Sequence, residues 1–402
     1  MRRCHSTLTP AAVHRLALAR LQPHLRLPDH GPKCTAHVVL SLVLWAAARA
    51  TSLAAACAAL CRAPSDQAAR NALFATLPAF AELARRLTRA LAGGLPKALT
   101  RRPRPVAIDL TLIPYYGSPA ADPGELYRGQ KKAGTRDSHA YATADVLGRG
   151  CRWTVALVPV SHADPWDHVV REVLRQVRRA GVRVRYVLLD RGFYSVAVVR
   201  YLQASRTPFV MPVVGRGRPA DHPAGPSGTR AFFARRRSGW DEYTLTDRAG
   251  RRATVGICVC YRTPPGRLRW HRAGRPRRPR AWVYAVWGLR PTRVAWIVQA
   301  YRARYGIEAT YRQLHQARVR TSTRSPLLRL LFVGLAVLLR NLWAWVHWEA
   351  LAAPRRGGRR VALSRLRFRA LLHWIGRHVE DWLGWAAELH LARPLPDGPH
   401  GR

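Results

Sequence analysis

Three carboxylates stand where a carboxylate is costly or conspicuous. Asp109 interrupts the apolar run Val106-Ala-Ile-Asp109-Leu-Thr-Leu-Ile113, and Asp190 ends Val187-Leu-Leu-Asp190. A charge within or at the end of an apolar strand needs a cation or a hydrogen-bond donor to meet it. Glu308 lies in Tyr301-Arg-Ala-Arg304-Tyr-Gly-Ile-Glu308-Ala-Thr-Tyr-Arg312-Gln-Leu-His315. At about 100° per residue, Tyr301, Arg304, Glu308, Arg312 and His315 fall within about 80° of one another on a helix. That leaves Ile307, Tyr311 and Leu314 elsewhere for packing. Taken singly, each acid has a structural reading: a strand-end turn or cap for the aspartates, and an exposed Arg304–Glu308 pair worth a few tenths of a kcal/mol for the glutamate. Taken together, three carboxylates converging from two strands and a helix can hold two Mg²⁺ ions, or Mn²⁺ in their place. Two such ions clamp the attacking and leaving oxygens of an in-line phosphoryl displacement.

The elements that must position these acids are legible in the pattern. Residues 1–100 read as a helical, Ala/Leu-rich region with breaks at 28–32, 64–65 and 93–94. Within it, 51–60 and 65–77 form two short helices meeting at a corner, compatible with either a helix-turn-helix or an ordinary helical hairpin. Residues 101–214 read as the first part of the sheet-bearing core, with strands at 106–113, 140–146, 153–160, 184–189 and 209–214. Helices at 165–179 and 195–204 alternate with them, which predicts a mixed α/β sheet with helices packed on it. Residues 215–290 read as a β-rich insertion with strands at 242–246, 254–261 and 281–287. Residues 291–350 return to helix, and 351–402 hold a basic linker and a final amphipathic helix. Gly306 weakens its helix by about 1 kcal/mol, so a bend is expected there.

Charge points to the partner. Lys plus Arg number 68 against 22 Asp plus Glu, a net +46, in a chain that is 48% hydrophobic. Such a chain is too apolar for a disordered basic tail, and a folded body with that charge calls for a polyanion. Candidate grips on a phosphate backbone are Lys131 and Lys132, in a Gly-rich loop, and the stretch containing Arg267, Arg269 and Trp270, which interleaves bases with an aromatic able to stack on an unpaired base. His162, Asp164, Asp167 and His168 cluster as a metal site would, yet Asp164-Pro165-Trp-Asp167 is also a helix start, with Asp164 as its N-cap. The seven cysteines form no disulfide framework and no CxxC pair, which places the chain in the reducing cytoplasm with plain buried thiols. No signal peptide is visible. Residues 327–346 are long enough to span a membrane, but Arg329, Arg340 and Asn341 favour a buried helix and no membrane partner.

The three acids together resemble the catalytic set of the DDE transposases of bacterial and archaeal insertion sequences. More narrowly, Tyr301-x2-Arg304-x3-Glu308-x6-His315 is similar to the group signature Tyr-x2-Arg-x3-Glu-x6-Lys, with three of its four positions matched. Asp109-Leu-Thr-Leu-Ile-Pro-Tyr-Tyr116 and Asp190-Arg-Gly-Phe193 fit the same resemblance, which spans about residues 101–350. It implies a ribonuclease H-like core interrupted by the β-rich insertion between Asp190 and Glu308. It also implies that Asp109, Asp190 and Glu308 are catalytic and bind the divalent metals, while Tyr301 and Arg304 contact phosphates. His315 stands where the family has lysine. A histidine is charged only part of the time near neutrality, and Arg312 and Arg318 are the cations at hand to substitute. The resemblance implies a homodimer in a synaptic complex, cutting double-stranded DNA at terminal inverted repeats and joining 3′ ends to target DNA. Two other readings remain open: a metal-dependent nuclease without strand transfer, and a non-catalytic DNA-binding protein whose acids have decayed or been repurposed.

Overall fold

The computed structural model describes residues 7–118, 125–132, 134–148, 150–262, 280–289, 293–356 and 358–386. At its centre lies β1 (Arg104–Pro114), the apolar run around Asp109. To one side of β1 runs β3 (Thr135–Gly148), antiparallel, which pairs in turn with β2 (Tyr127–Lys132) and β4 (Cys151–Val160). On the other side β5 (Val184–Leu189) is parallel to β1 and β6 (Phe209–Pro212) is parallel to β5. The order β4-β3-β1-β5-β6 is the mixed sheet that the pattern predicts, in the ribonuclease H-like arrangement that the resemblance implies. The insertion does not stand apart from it. Its strands β7 (Gly239–Thr246), β8 (Arg252–Arg262) and β9 (Arg280–Trp287) extend the same sheet, with β9 antiparallel to β6.

Alternation of side chains along the strands sends successive residues to opposite faces, and both faces are covered. Val106, Ile108, Val187 and Leu189 pack under α6 (Trp166–Arg179) and α7 (Val196–Ala204). Ala107, Tyr186 and Leu188 pack against Ile297 and Ile307, from α9 (Val294–Arg302) and α10 (Gly306–Gln316). The aspartates belong to this second face, since Asp109 follows Ala107 by two residues and Asp190 follows Leu188 by two.

The N-terminal region forms α1 (Pro10–Leu25), α2 (Ala36–Ala48), α3 (Leu53–Ala59), α4 (Asp66–Thr76) and α5 (Phe80–Ala92). Thr9, Thr35, Ser52 and Ser65 cap the first four, each side-chain oxygen accepting from the backbone N–H three residues on. These helices share one apolar core with α11 (Pro326–Trp345) and α12 (Phe368–Leu383), the C-terminal helix, which packs on α1 and α2. Helix α11 is the apolar stretch noted above, and 89% of its most apolar window is buried inside the fold. Its polar residues are spoken for. Asn341 accepts from the Thr154 N–H (3.1 Å) and donates to the Thr154 carbonyl (2.7 Å), and Arg340 donates to the Arg152 carbonyl at 2.5 Å. They satisfy β4 where it departs from regular pairing with β3, between Ala144 and Asp145. Gly334 lets α5 approach, since a Cβ there would sit 2.6 Å from Leu87 Cδ1.

Three details differ from the sequence reading. Lys131 and Lys132 lie on strand β2, in a hairpin with β3, because the β3 ladder supplies the pairing that Gly129 and Gly134 disfavour by propensity. Asp164 is not the N-cap of α6. Its Oδ2 accepts from the Ser161 N–H at 2.6 Å, closing the preceding turn, and Pro165 precedes the helix. Of the described cysteines, all free, Cys61 is exposed rather than buried.

Candidate active site

The parallel register of β1 and β5 sets the site. Ile108 pairs with Leu189, so the next residues, Asp109 and Asp190, stand beside each other at the C-terminal end of β5, the edge of an α/β sheet where ligands bind. Between them reaches Arg304, whose Nη2 lies 3.0 Å from Asp109 Oδ2 and 3.5 Å from Asp190 Oδ1. The environment is graded: the side chains of Arg304, Asp109 and Asp190 are 7%, 13% and 44% exposed. Burial pushes the Asp109 carboxyl up to about 6, with the Arg304 charge opposing and the Asp190 charge adding.

Tyr301 fixes the helix to the strand end. Its hydroxyl donates to the Leu189 carbonyl at 3.2 Å, one residue before Asp190, and the Arg304 guanidinium stacks 5.7 Å from its ring centre. Tyr301 is buried, and so positions the site rather than presenting a surface to a ligand. Tyr311, read from the sequence as packing only, belongs here as well. Its hydroxyl and that of Thr143 share a hydrogen bond of 2.9 Å, and Thr143 is the cross-strand partner of Asp109. Burial holds the phenol well above its ordinary value, and the nearby Asp109 charge adds to this. The sequence carried no local signal for it, because Arg304 lies in the turn before α10 and the partner of Tyr311 is Thr143, on β3.

The single-face array expected of Tyr301, Arg304, Glu308, Arg312 and His315 is broken. A 3₁₀ turn, Ala303–Tyr305, separates α9 from α10 at Gly306. Three residues at about 120° each rather than about 100° turn the following helix by an added ~60°. Ile307, Thr310 and Leu314 become its buried side, and Glu308, Arg312 and His315 are exposed. Among the described residues no three His, Cys, Asp or Glu side chains are grouped to hold a metal ion. Asp109 and Asp190 are brought together, and Glu308 is not brought to them. What the pair can hold is a cation, because it already straddles one in the Arg304 guanidinium, and its carboxylate oxygens are the donors Mg²⁺ and Mn²⁺ take. The two aspartates thus fit a divalent ion, with a third acid still to be supplied.

Of the remaining candidates, Arg318 lies partly buried beyond α10, and Lys131 is exposed on β2, with Lys132 beside it in the strand. Arg267, Arg269 and Trp270 lie outside the described residues.

The family profile described as "Transposase DDE domain" matches residues 101–342, more than half of the chain. No curated protein matches. A solved structure described as a cryo-EM structure of the piggyBac transposase synaptic complex with hairpin DNA is similar, with a TM-score of 0.54 at 10% identity. The likeness covers 95% of this chain and 82% of that one.

Proposed function

The chain belongs to the transposase DDE-domain family, and from that footing we propose that it cleaves DNA at transposon ends and transfers the freed 3′ ends into target DNA. The observation that carries this reading is the pairing of Asp109, within β1, with Asp190, at the end of the parallel strand β5, around a cation. Glu308, on the exposed side of α10 one turn beyond Arg304, is the third acid we assign from its place in the signature. Bringing it to the pair requires α10 to turn about the Ala303–Tyr305 segment. Family members use divalent metals, and Asp109, Asp190 and Glu308 are the residues that would hold them here. When bound, such ions activate water and stabilise charge on the attacking and leaving oxygens. The protein's own contribution is alignment. Tyr301 and Tyr311 lock the helix against β5 and β3, and Lys131, Lys132, Arg312, His315 and Arg318 are the residues we assign to holding the phosphates by charge. We further propose that the chain works as a homodimer on paired inverted repeats, in the cytoplasm that its free cysteines suit.

The test is cleavage, with Mg²⁺ and then Mn²⁺, of DNA carrying the two borders of the gene, searched first for inverted repeats, followed by an assay for joined products. Cleavage with joining supports the reading. Cleavage without joining makes the protein a nuclease. DNA binding without cleavage, unaltered by Asp109→Asn, Asp190→Asn or Glu308→Gln, makes it a binding protein with decayed acids.

A further inference from the structure

Beyond the end of β1, where Pro114 meets the segment joining α10 to α11, lies a cavity of about 690 Å³. It is larger than an oxyanion needs and within the range of small-ligand sites, ~300–1,000 Å³. Four arginines line it, Arg318, Arg320, Arg324 and Arg329, with no Asp or Glu among the lining residues. Two buried polar atoms of its lining residues have no hydrogen-bond partner: Arg318 Nη1 and His139 Nε2. Buried polar atoms are nearly always paired, so an orphaned donor and an orphaned imidazole nitrogen on one cavity mark a place for a ligand. Burial, reinforced by the Arg329 charge, holds His139 down at about 4, leaving a neutral ring able to meet a polar edge. Two neighbouring tyrosines also line it. Tyr115, itself buried, packs edge-on against His139 at 5.2 Å and carries Arg329 4.9 Å from its ring centre, while Tyr116 is 71% exposed.

We propose that this cavity receives one unpaired nucleotide of the DNA strand running from the carboxylate pair, with its phosphate on the arginines and its base against Tyr116. Cations for a phosphate, an aromatic face for a base and a neutral polar edge form a nucleotide-binding set. A duplex cannot enter a recess of this size, so the nucleotide must leave the stack to occupy it. Pro114 lies five positions beyond Asp109 along β1, about 16 Å at ~3.3 Å per residue. The inference rests on the reading of the protein as one that acts on DNA.

The test is anisotropy titration of the full chain in EDTA, where no cleavage intervenes, with DNA of one sequence that is either blunt or carries a short unpaired end containing 2-aminopurine. The expected result is about a tenfold preference for the unpaired end, with quenching of the 2-aminopurine. Tyr116→Ala and, independently, Arg318→Met reduce that preference towards none, and Tyr116→Ala leaves blunt-duplex affinity in place. A free deoxynucleoside monophosphate that abolishes the preference without displacing blunt DNA also supports the site. Equal affinity for the two DNAs, variants that weaken both equally, or inorganic phosphate acting as well as the nucleotide would each overturn it. Absence of any duplex binding is a separate result and refutes the reading on which the site rests.

Discussion

Two acids occupy the same face of the same sheet, one strand apart, and the fold treats them in opposite ways. Asp145, on β3 opposite Ala107, is 1% exposed and satisfied by hydroxyls. Thr154 donates to its Oδ1 at 2.5 Å and Thr310 to its Oδ2 at 3.1 Å, with the buried Arg340 close enough to feel its charge. Asp109, on β1, shares Arg304 with a second carboxylate, and that second carboxylate is half open to solvent. Helix α10 and the turn before it reach both acids, giving Thr310 to one and Arg304 to the other. A buried carboxylate with both oxygens hydrogen-bonded by hydroxyls is part of the scaffold. A carboxylate pair that shares one cation, with one member half open to solvent, is a site.

Substitution should split the two most sharply. Asp109→Asn and Asp190→Asn are expected to reduce metal-dependent DNA cleavage by about 10³-fold or more, equivalent to several kcal/mol of transition-state stabilisation. Their melting midpoints should be unchanged or raised, because an amide at position 109 no longer carries a charge into the interior. Asp145→Ala should behave conversely. It strands Arg340 and two threonine hydroxyls, costing about 3–5 kcal/mol in urea unfolding, while cleavage per folded molecule is retained. If Asp145→Ala removes cleavage from a fully folded population, the division between scaffold and site is wrong.

The histidines repeat the contrast. His14, in the helical body, lies 3.1 Å from Ser41 Oγ, and His37 and His378 pack near its ring. His139 has an orphaned Nε2 beside a cavity. Burial, reinforced by the neighbouring His378 and His37 charges, pulls His14 down from 6.5 to about 4. Its pKa in the fold therefore lies below the unfolded value. The stability that follows is complete above about pH 6.5 and is lost as pH falls through 6.5 towards 4, to a limit of about 3 kcal/mol. The urea midpoint should drop between pH 7.5 and pH 5, and the drop should shrink in His14→Gln. An equal drop in that variant would assign the acid sensitivity elsewhere.

How much of this was written in the sequence depends on the distance over which each residue finds its partner. Strand β5 is legible to the residue, since Val184–Leu189 is a short run, apolar but for Arg185, between Arg183 and Asp190. The pairing of Asp109 with Asp190 followed from one aspartate within an apolar strand and one at the end of another, in one sheet. Strand β2 was hidden because glycines at 129 and 134 mark a loop by propensity, and only the β3 ladder overrides them. Gly306 announced a bend, but the rotation it introduces, which separates Glu308 from Arg304, depends on Ile307 seeking the core. Asp145 gave no local sign, because Thr310 is 165 residues away. Short-range pattern places the elements, and long-range partners decide whether an acid on them is closed or open.

The smallest expected effect bears most directly on whether the Asp109–Asp190 pair is open. Arg304 satisfies two carboxylates through one Nη2, and its Nε, also buried, has no partner. Arg304→Gln leaves the carboxylates facing each other without a counter-charge, which is expected to cost about 2 kcal/mol in metal-free urea unfolding. The cost stays modest because Asp190 can turn towards water. A divalent cation should then stabilise the variant more than the native chain, since it binds the folded pair and no longer competes with a guanidinium for the same oxygens. Melting curves with and without Mg²⁺ measure this as a difference of differences, independent of cleavage. An equal Mg²⁺ shift in both chains would mean that the cation binds elsewhere, and the pair would then have to be counted, with Asp145, as part of the scaffold.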